Sequence, residues 1–469
     1  MTTSLPRQTL GALALPMLLA SLGASIANVG LPAMAQAFGA AFQQLQWIVL
    51  AYLLAMTGAS VGAGRLGDLI GRRRLLAAGV ALFTLASLLC ALAPGLPWLV
   101  AARVLQGLGA AVMTSLALAM AGGLAPQGRI GSVMGLLGTM SAVGTSLGPV
   151  LGGLLLGAGG WPLLFLAGVP PGALALLLVL RGLPGDAVTP RDGRPTFDAA
   201  GMLVLVLALV ACALALTLGR GRFGFINLAL LAAALLGGWL FVALQKGAVS
   251  PLVPLPMLRD PVLGAGLAAN LLVATVMATT MVVGPFYLSL ALGLGAAHVG
   301  LAMACGPLTA ALGGVPAGRL ADRFGTARMG IVGLAVLTGG CALLALTPVR
   351  FGAAGYVMPL AVVTLGYALF QAANNSAVMA GAGAQRGVVS GMLGLARNLG
   401  FITGAAAMGA LFAWGAGTSD LAHARPLAVA AGMRASFAVA VLLGGIGLAL
   451  VRRGAVLGAC RATAPGALS

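Results

Sequence analysis

The sequence predicts an all-α integral membrane protein: two six-helix bundles with internal pseudo-repeats plus two additional central transmembrane helices, 14 spans in all. Three observations carry this. First, the chain of 469 residues is 61% hydrophobic and only 7% charged, with a mean hydropathy of +1.10. A soluble chain keeps about 25% charged residues, so most of this surface must face lipid. Second, apolar runs of the ~20 residues that a bilayer-spanning helix needs recur along its whole length. Third, one short stretch is written twice. Gly64-Arg65-Leu66-Gly67-Asp68-Leu69-Ile70-Gly71-Arg72-Arg73-Arg74 returns as Gly318-Arg319-Leu320-Ala321-Asp322-Arg323-Phe324-Gly325-Thr326-Ala327-Arg328, with six of eleven positions identical at an offset of 254. Such a duplication between apolar runs is expected of a transporter built from repeated bundles.

Fourteen segments meet the length requirement: 10–32, 45–63, 75–93, 98–122, 131–157, 162–180, 199–219, 224–244, 262–291, 299–317, 329–347, 354–380, 388–414 and 433–451. Helices are the consistent reading, because a backbone in lipid must satisfy its own N–H and C=O groups. The first run has no A-x-A cleavage site after it and reads as a retained helix. A hydrophilic break at 181–198, with three prolines and three aspartates, closes the first six spans. A second break at 245–261 precedes the last six. The expected division is an N-terminal six-helix bundle (1–182), a cytoplasmic linker with two extra spans (183–261), and a C-terminal six-helix bundle with a short cytoplasmic tail (262–469).

Charge sets the orientation. The net charge of +18 comes in ones to threes between apolar runs, which argues for topology rather than a nucleic-acid surface. With the N-terminus inside, eighteen basic residues fall in cytoplasmic segments, five in outer ones and two within spans. The positive-inside rule therefore puts both termini in the cytoplasm. The lone lysine, Lys246, against 24 arginines and no glutamate reflects genome composition, not mechanism. Five widely separated cysteines show no metal-ligand spacing, so no metal is expected. Gly62-Ala63-Gly64-Arg65-Leu66-Gly67 fits G-x-G-x-x-G but follows an apolar helix rather than a strand, and no phosphate loop for ATP occurs. No cofactor and no enzyme activity are expected.

The repeated stretch nominates a gating set: Gly64, Arg65, Asp68, Gly71, Arg72, Gly318, Asp322 and Gly325. A carboxylate at a helix junction can face a neighbouring helix N-terminus, where the macrodipole favours negative charge. The glycines permit a tight turn. In the second copy Arg72 and Arg73 become Thr326 and Ala327, so the first is the stronger latch. Gly144, Gly148 and Gly152 recur every four residues in the fifth span, a face on which another helix can approach closely, and Pro149 can bend it. Arg103 is the sharpest single residue, since a charge inside a span is a functional hypothesis by default. Gln106 shares its face; Ser25 and Asn28 lie on one face of the first span. Tyr367, Gln371 and Asn374 in the twelfth span and Arg397 in the thirteenth are the counterparts in the second half. These eight are the substrate-binding candidates.

The first loop copy resembles a motif of the major facilitator superfamily. Arg103-Val104-Leu105-Gln106-Gly107-Leu108-Gly109-Ala110 is similar to that family's fourth-helix motif, and Gly144-Thr145-Ser146-Leu147-Gly148-Pro149-Val150-Leu151-Gly152-Gly153 to its antiporter motif. Ser25 to Pro32, Gln46-Trp47 with Tyr52, Phe197-Asp198 and Pro251-Leu252 resemble the fourteen-helix drug:proton antiporter branch. The resemblance implies alternating access of two halves around a midplane site, with the fifth helix at their interface. It further implies multidrug efflux across a bacterial cytoplasmic membrane, a small-molecule substrate, protons as coupling ion and a monomer in the lipid bilayer.

One departure matters. Proton-coupled exporters of that branch typically carry an acid in the first helix, and alignment on Asn28 and Pro32 puts Gly23 there. All seven acids, Asp68, Asp186, Asp192, Asp198, Asp260, Asp322 and Asp420, fall outside the apolar cores, and His298 and His423 lie near the outer face. Arg103 thus lacks a carboxylate partner. It can bond backbone carbonyls or meet an anionic substrate group, which leaves uptake or anion transport as the alternative to export. A non-transporting membrane receptor of the same fold is the rival class.

Overall fold

The structure is a computed structural model that describes residues 6–124, 130–185, 198–218, 224–248, 255–380, 386–418, 421 and 424–462. Among these residues the chain is helical throughout. We number the spans α1 (Arg7–Phe38), α2 (Phe42–Ile70), α3 (Arg72–Ala91), α4 (Leu96–Leu124), α5 (Ile130–Gly159), α6 (Pro162–Gly182), α7 (Ala199–Thr217), α8 (Phe225–Gly247), α9 (Pro261–Ala291), α10 (Ala296–Phe324), α11 (Thr326–Leu346), α12 (Gly352–Ala380), α13 (Arg386–Thr403, continued by Gly404–Met408 and Gly409–Gly415) and α14 (Pro426–Ala462). Each expected segment has its helix, and thirteen meet strict length and hydropathy limits for crossing a membrane.

The chain forms two compact units: Met1–Leu252 with Leu294–Ala304, and Val253–Gly293 with Cys305–Ser469. In the first, α1 pairs with α5, α3 and α2 pack on α4, and α6 covers α1 and α3. In the second, α9 pairs with α13, α11 with α12, and α14 covers α9 and α11. The pairings that α1, α3 and α6 make in the first unit return for α9, α11 and α14 in the second.

Glycine makes the close crossings. A methyl group at Gly109 would lie 2.8 Å from the Gly79 carbonyl and 2.7 Å from the Phe83 amide. One at Gly366 would lie 2.7 Å from the Gly333 carbonyl and press on the Leu337 amide. Gly79 and Phe83 map onto Gly333 and Leu337 at the 254-residue offset of the repeated stretch. The α1–α5 crossing seats Gly144 on the Leu18 carbonyl and Gly148 on Ser25; the α9–α13 crossing seats Gly400 on the Leu271 carbonyl and Gly404 on Ala278. Small residues permit such approach, and van der Waals packing then holds helices that lipid would otherwise separate.

Helix starts use two of the few acids. Asp198 caps α7 by accepting from the Gly201 amide at 2.8 Å, and Asp260 caps α9 by accepting from Val262 at 3.0 Å and Leu263 at 2.9 Å. Each satisfies amides that the first helical turn leaves without partners. The α7–α8 hairpin is locked at both ends. Gln245 donates to Asp198 Oδ2 at 2.5 Å, and Asn227 donates to the Ala215 and Leu218 carbonyls at 2.8 Å. The pair belongs to the first unit, and α7 lies along α2.

Candidate functional site

Arg103 is the centre of a sealed polar core in the first unit. It is 0% exposed. Its Nε donates to the Ile48 carbonyl of α2 at 2.8 Å. Nη1 donates to the Gly23 carbonyl of α1 at 2.9 Å and to Gln106 Oε1 at 2.5 Å. The guanidinium also lies over the Tyr52 ring, 4.2 Å from its centroid, with Phe165 at 5.8 Å. Gln106 passes the chain on, donating to Ser87 Oγ at 2.7 Å, and Ser87 donates to the Phe83 carbonyl at 2.7 Å. Tyr52 Oη donates to the Ala20 carbonyl at 2.7 Å. Carbonyl dipoles and an aromatic face thus take the place of a counter-ion. Nη2 alone is buried without a hydrogen bond.

The helices position this cluster for simple reasons. Gly107 lets α4 lie directly on the Tyr52 backbone of α2. That close approach brings Arg103, one helical turn away, to the Ile48 carbonyl. Gly23 is the slot where the resemblance expects an acid. A side chain there would meet the Phe83 ring at 3.0 Å and Tyr52 Oη at 3.4 Å. The slot is closed by packing, and its carbonyl is what Arg103 uses.

The other candidates in this unit are also internal. Ser25 is buried against α5 and donates to the Leu22 carbonyl at 3.2 Å and to Gly144 at 3.5 Å. Asn28 donates to Ala24 at 3.2 Å and Ser25 at 3.3 Å within its own helix, while its Oδ1 is buried without a partner. The expected polar wall of α1 and α4 is therefore a set of buried braces in this structure, since each side chain finds hydrogen-bond partners within the unit. Gly144, Gly148 and Gly152 all face α1, and a methyl at Gly152 would meet Ile26 O at 3.4 Å.

In the second unit, Asn374 is buried and donates to the Gly266 carbonyl at 3.2 Å, tying α12 to α9. Tyr367 and Gln371 are half-buried, and Gln371 Oε1 has no hydrogen-bond partner. Arg397 is exposed on α13 and does not join them. Sequence reasoning missed Ser87, Phe165, Asn270 and Thr275. Asn270 donates to the Leu393 carbonyl at 2.9 Å, and Thr275 to the Gly400 carbonyl at 3.1 Å. A polar residue inside an apolar span is the signal that could have found Ser87, Asn270 and Thr275; Phe165 carries no such signal.

The gating set lies on helix ends, not in a loop. Residues 64–70 complete α2 and 318–324 complete α10, and one glycine turns the chain in each case. Gly71 has φ 103°, ψ 128° and Gly325 φ 89°, ψ 140°, a region open essentially to glycine. Their amides close equivalent bonds, Gly71 to the Gly67 carbonyl at 3.1 Å and Gly325 to Ala321 at 3.0 Å. The correction has a physical cause: amphipathic Gly-Arg-Leu and Ala-Asp-Arg turns extend the helix until a residue with positive φ is required. Gly64 and Gly318 have open space around them. Asp322 is exposed and Arg72 half-buried; the side chains of Arg65 and Asp68 lie outside the described residues. Arg73 donates to the Leu180 carbonyl in the last turn of α6, where carbonyls lack helical partners.

A duplicated, all-helical membrane bundle with a buried cation at the centre of one unit defines a class, the polytopic secondary transporters. Comparison with known proteins narrows it. The model for the Major Facilitator Superfamily matches residues 13–405 and again 266–459. The chain is 33% identical to the uncharacterized transporter YebQ of Escherichia coli (strain K12), covering 83% of this chain and 85% of that one. It is 32% identical to the drug efflux pump JefA of Mycobacterium tuberculosis (strain ATCC 25618 / H37Rv), over 87% and 81%. It is 27% identical to the riboflavin transporter RibZ of Clostridioides difficile (strain 630), over 84% and 86%. Among solved structures, a bacterial homologue of the human lysosomal transporter Spinster shares the fold, with a TM-score of 0.72 at 17% identity, covering 96% of this chain and 98% of that one. The chain belongs to the major facilitator superfamily. It is a multi-pass membrane transporter, not an enzyme.

Proposed function

We propose that this transporter exports small amphipathic compounds from a bacterial cytoplasm by alternating access, with both termini on the cytoplasmic side. The observation that carries the reading is relationship at 30% identity or more, over most of both chains, to proteins described as a drug efflux pump and as a tetracenomycin C resistance and export protein. The excess of arginine in alternate loops supports the orientation.

Coupling is the second part of the proposal. No carboxylate lies in the spans' apolar cores, and Arg103 does not release a proton at physiological pH. If protons drive the cycle, they act through groups at the helix ends, of which Asp68 and Asp322 are the proposed latch residues. A second reading is uptake, or transport of an anionic solute; the riboflavin transporter relative supports a metabolite rather than a drug as substrate. The unpartnered Nη2 of Arg103 supports it as a donor that an opened core could present.

The test is flux in everted and right-side-out vesicles containing the purified protein. A panel of cationic dyes, zwitterions and riboflavin is followed with and without an imposed pH gradient. Export predicts accumulation of amphipathic compounds in everted vesicles. Flux of riboflavin alone, and only into right-side-out vesicles, would support the second reading instead. No flux for any compound would leave a receptor role and sink the proposal.

A further inference from the structure

Between α2, α4 and α7 of the first unit lies a cleft of about 670 Å³. Its walls come from Trp47 to Ala59 of α2, Val100 to Leu108 of α4 and Met202 to Val210 of α7, and every lining side chain is apolar. The one N–H on its rim, Trp47 Nε1, already donates to Thr217 Oγ1 at 2.9 Å, and Thr217 in turn donates to the Ala213 carbonyl at 2.7 Å. The cleft exists because α7 is pinned to α2 at two places. One is the Trp47–Thr217 bond. The other is Gly58, where a methyl group would lie 2.6 Å from Val206 Cγ2. Eleven residues separate the two points on each antiparallel helix, or ~16 Å of helix rise. Over that length α7 stands along α2 and leaves the space beside α4 unfilled.

We infer that this cleft holds the acyl tail of a membrane lipid. Water is excluded, since a buried water needs two to four polar partners and none is free here. A polar solute would leave its own groups unsatisfied at several kcal/mol each in hydrocarbon. An empty cleft would forfeit dispersion contacts along three helices. A hydrocarbon chain fits the lining and is at hand in the bilayer. Its supply is continuous: Trp98 on α4 is 70% exposed, and Leu203 and Leu207 on α7 are 59% and 56% exposed, so the mouth opens onto the apolar belt of a membrane-spanning surface. The tail would act as a packing element that joins the α7–α8 hairpin to the six-helix bundle.

The experiment uses the full-length protein in nanodiscs containing a phosphatidylglycerol with a diazirine on one acyl chain. After irradiation, labelled peptides are mapped by mass spectrometry. The outward face of α8, with Leu235 and Trp239 exposed, reports ordinary boundary lipid. Expected is labelling of the cleft helices at least fivefold above that face. Ala59→Phe from α2 and Leu203→Trp from α7 should each cut cleft labelling to the α8 level while α8 labelling stays unchanged; two variants guard against one failing to fold. Equal labelling of cleft and α8, or labelling insensitive to both variants, would overturn the inference. So would displacement of the cleft label by micromolar ethidium, which would mark a substrate site.

Discussion

The two units share a scaffold and differ in what they bury. Gly109 on Gly79 in the first corresponds to Gly366 on Gly333 in the second, and the α1–α5 contact to the α9–α13 contact. With these crossings superposed, Arg103 falls opposite Leu360, Gln106 opposite Val363 and Tyr52 opposite Gly306. In the second unit Leu360 packs against Gly306, where a methyl would lie 3.6 Å from Leu360 Cδ2. So one fold accommodates either a braced cation or a plain apolar contact at the same place. The helix pairs differ as well. α9 ends in a π-helical turn at Tyr287–Ala291, just after Pro285, and α13 contains another at Gly404–Met408. Among the described residues α1 and α5 stay α-helical through Pro32 and Pro149. The same helix crossings thus form around a buried cation in one unit and around an apolar contact in the other, which makes Arg103 separable from the crossings by substitution.

The strongest way to break this comparison is to exchange the cores. Leu360→Arg puts a cation where the equivalents of Tyr52 and Gln106 are Gly306 and Val363, so neither of those partners is at hand. Isolated buried charge costs several kcal/mol even after relaxation, so we expect little or no monodisperse protein by fluorescence-detected size exclusion. The reverse exchange, Arg103→Leu with Gln106→Val, removes donor and acceptor together. Replacing a buried polar set by apolar groups is often neutral. The double variant should purify and melt within a few degrees of the parent, yet lose transport. A double variant that transports normally would show the cation to be packing alone.

Next come the shared crossings. Gly109→Ala and Gly366→Ala each drive a methyl into backbone atoms under 3.0 Å away. Overpacking costs ~1–3 kcal/mol, and the two variants should lower the melting temperature alike. Gly339→Ala, in the interior of α11 with open space around it, is the control and should not lower the melting temperature. Unequal losses at Gly109 and Gly366 would mean that the crossings are not equivalent.

How far these features could be read in the sequence follows from where their causes lie. Spans, the two-fold repeat and the turn glycines are local or periodic, so the chain shows them directly. The constant offset even predicts that Gly71 and Gly325 adopt one conformation. The acceptors of Arg103 were not legible. The Gly23 and Ile48 carbonyls are backbone atoms of other helices, brought near by Gly107, and backbone acceptors leave no mark in residue type. Nor was the inward turn of Ser25 and Asn28, because small polar residues read the same whether they face a cavity or a neighbouring helix. The hairpin lock between Asp198 and Gln245 joins residues 47 positions apart and is likewise a product of packing.

A smaller effect is expected at the hinge turns. Gly71→Ala and Gly325→Ala force a Cβ into a positive-φ region that is essentially glycine's alone, at ~1–3 kcal/mol. If the first copy is the stronger latch, Gly71→Ala should slow transport more than Gly325→Ala at equal loss of thermal stability. Initial rates in vesicles, set beside melting temperatures of the same preparations, read this directly. Equal rates would mean that the extra arginines of the first copy serve topology.

The smallest change sharpens the role of the added helices, which only the first unit holds. Trp47→Phe keeps an aromatic ring on the cleft and deletes the N–H that reaches Thr217. A neutral hydrogen bond contributes ~0.5–1.5 kcal/mol, and Thr217 retains its bond to Ala213, so the loss should sit at the low end. The melting temperature should barely move. What should change is the hold of α7 on α2 at that end. A cysteine pair at Ala51 and Val210, both on the cleft wall, would form a disulfide more slowly in the Trp47→Phe background if the bond keeps the helices in register. An unchanged rate would assign the register to the Gly58–Val206 contact alone, and the hairpin would then be held to its bundle by shape rather than by polarity.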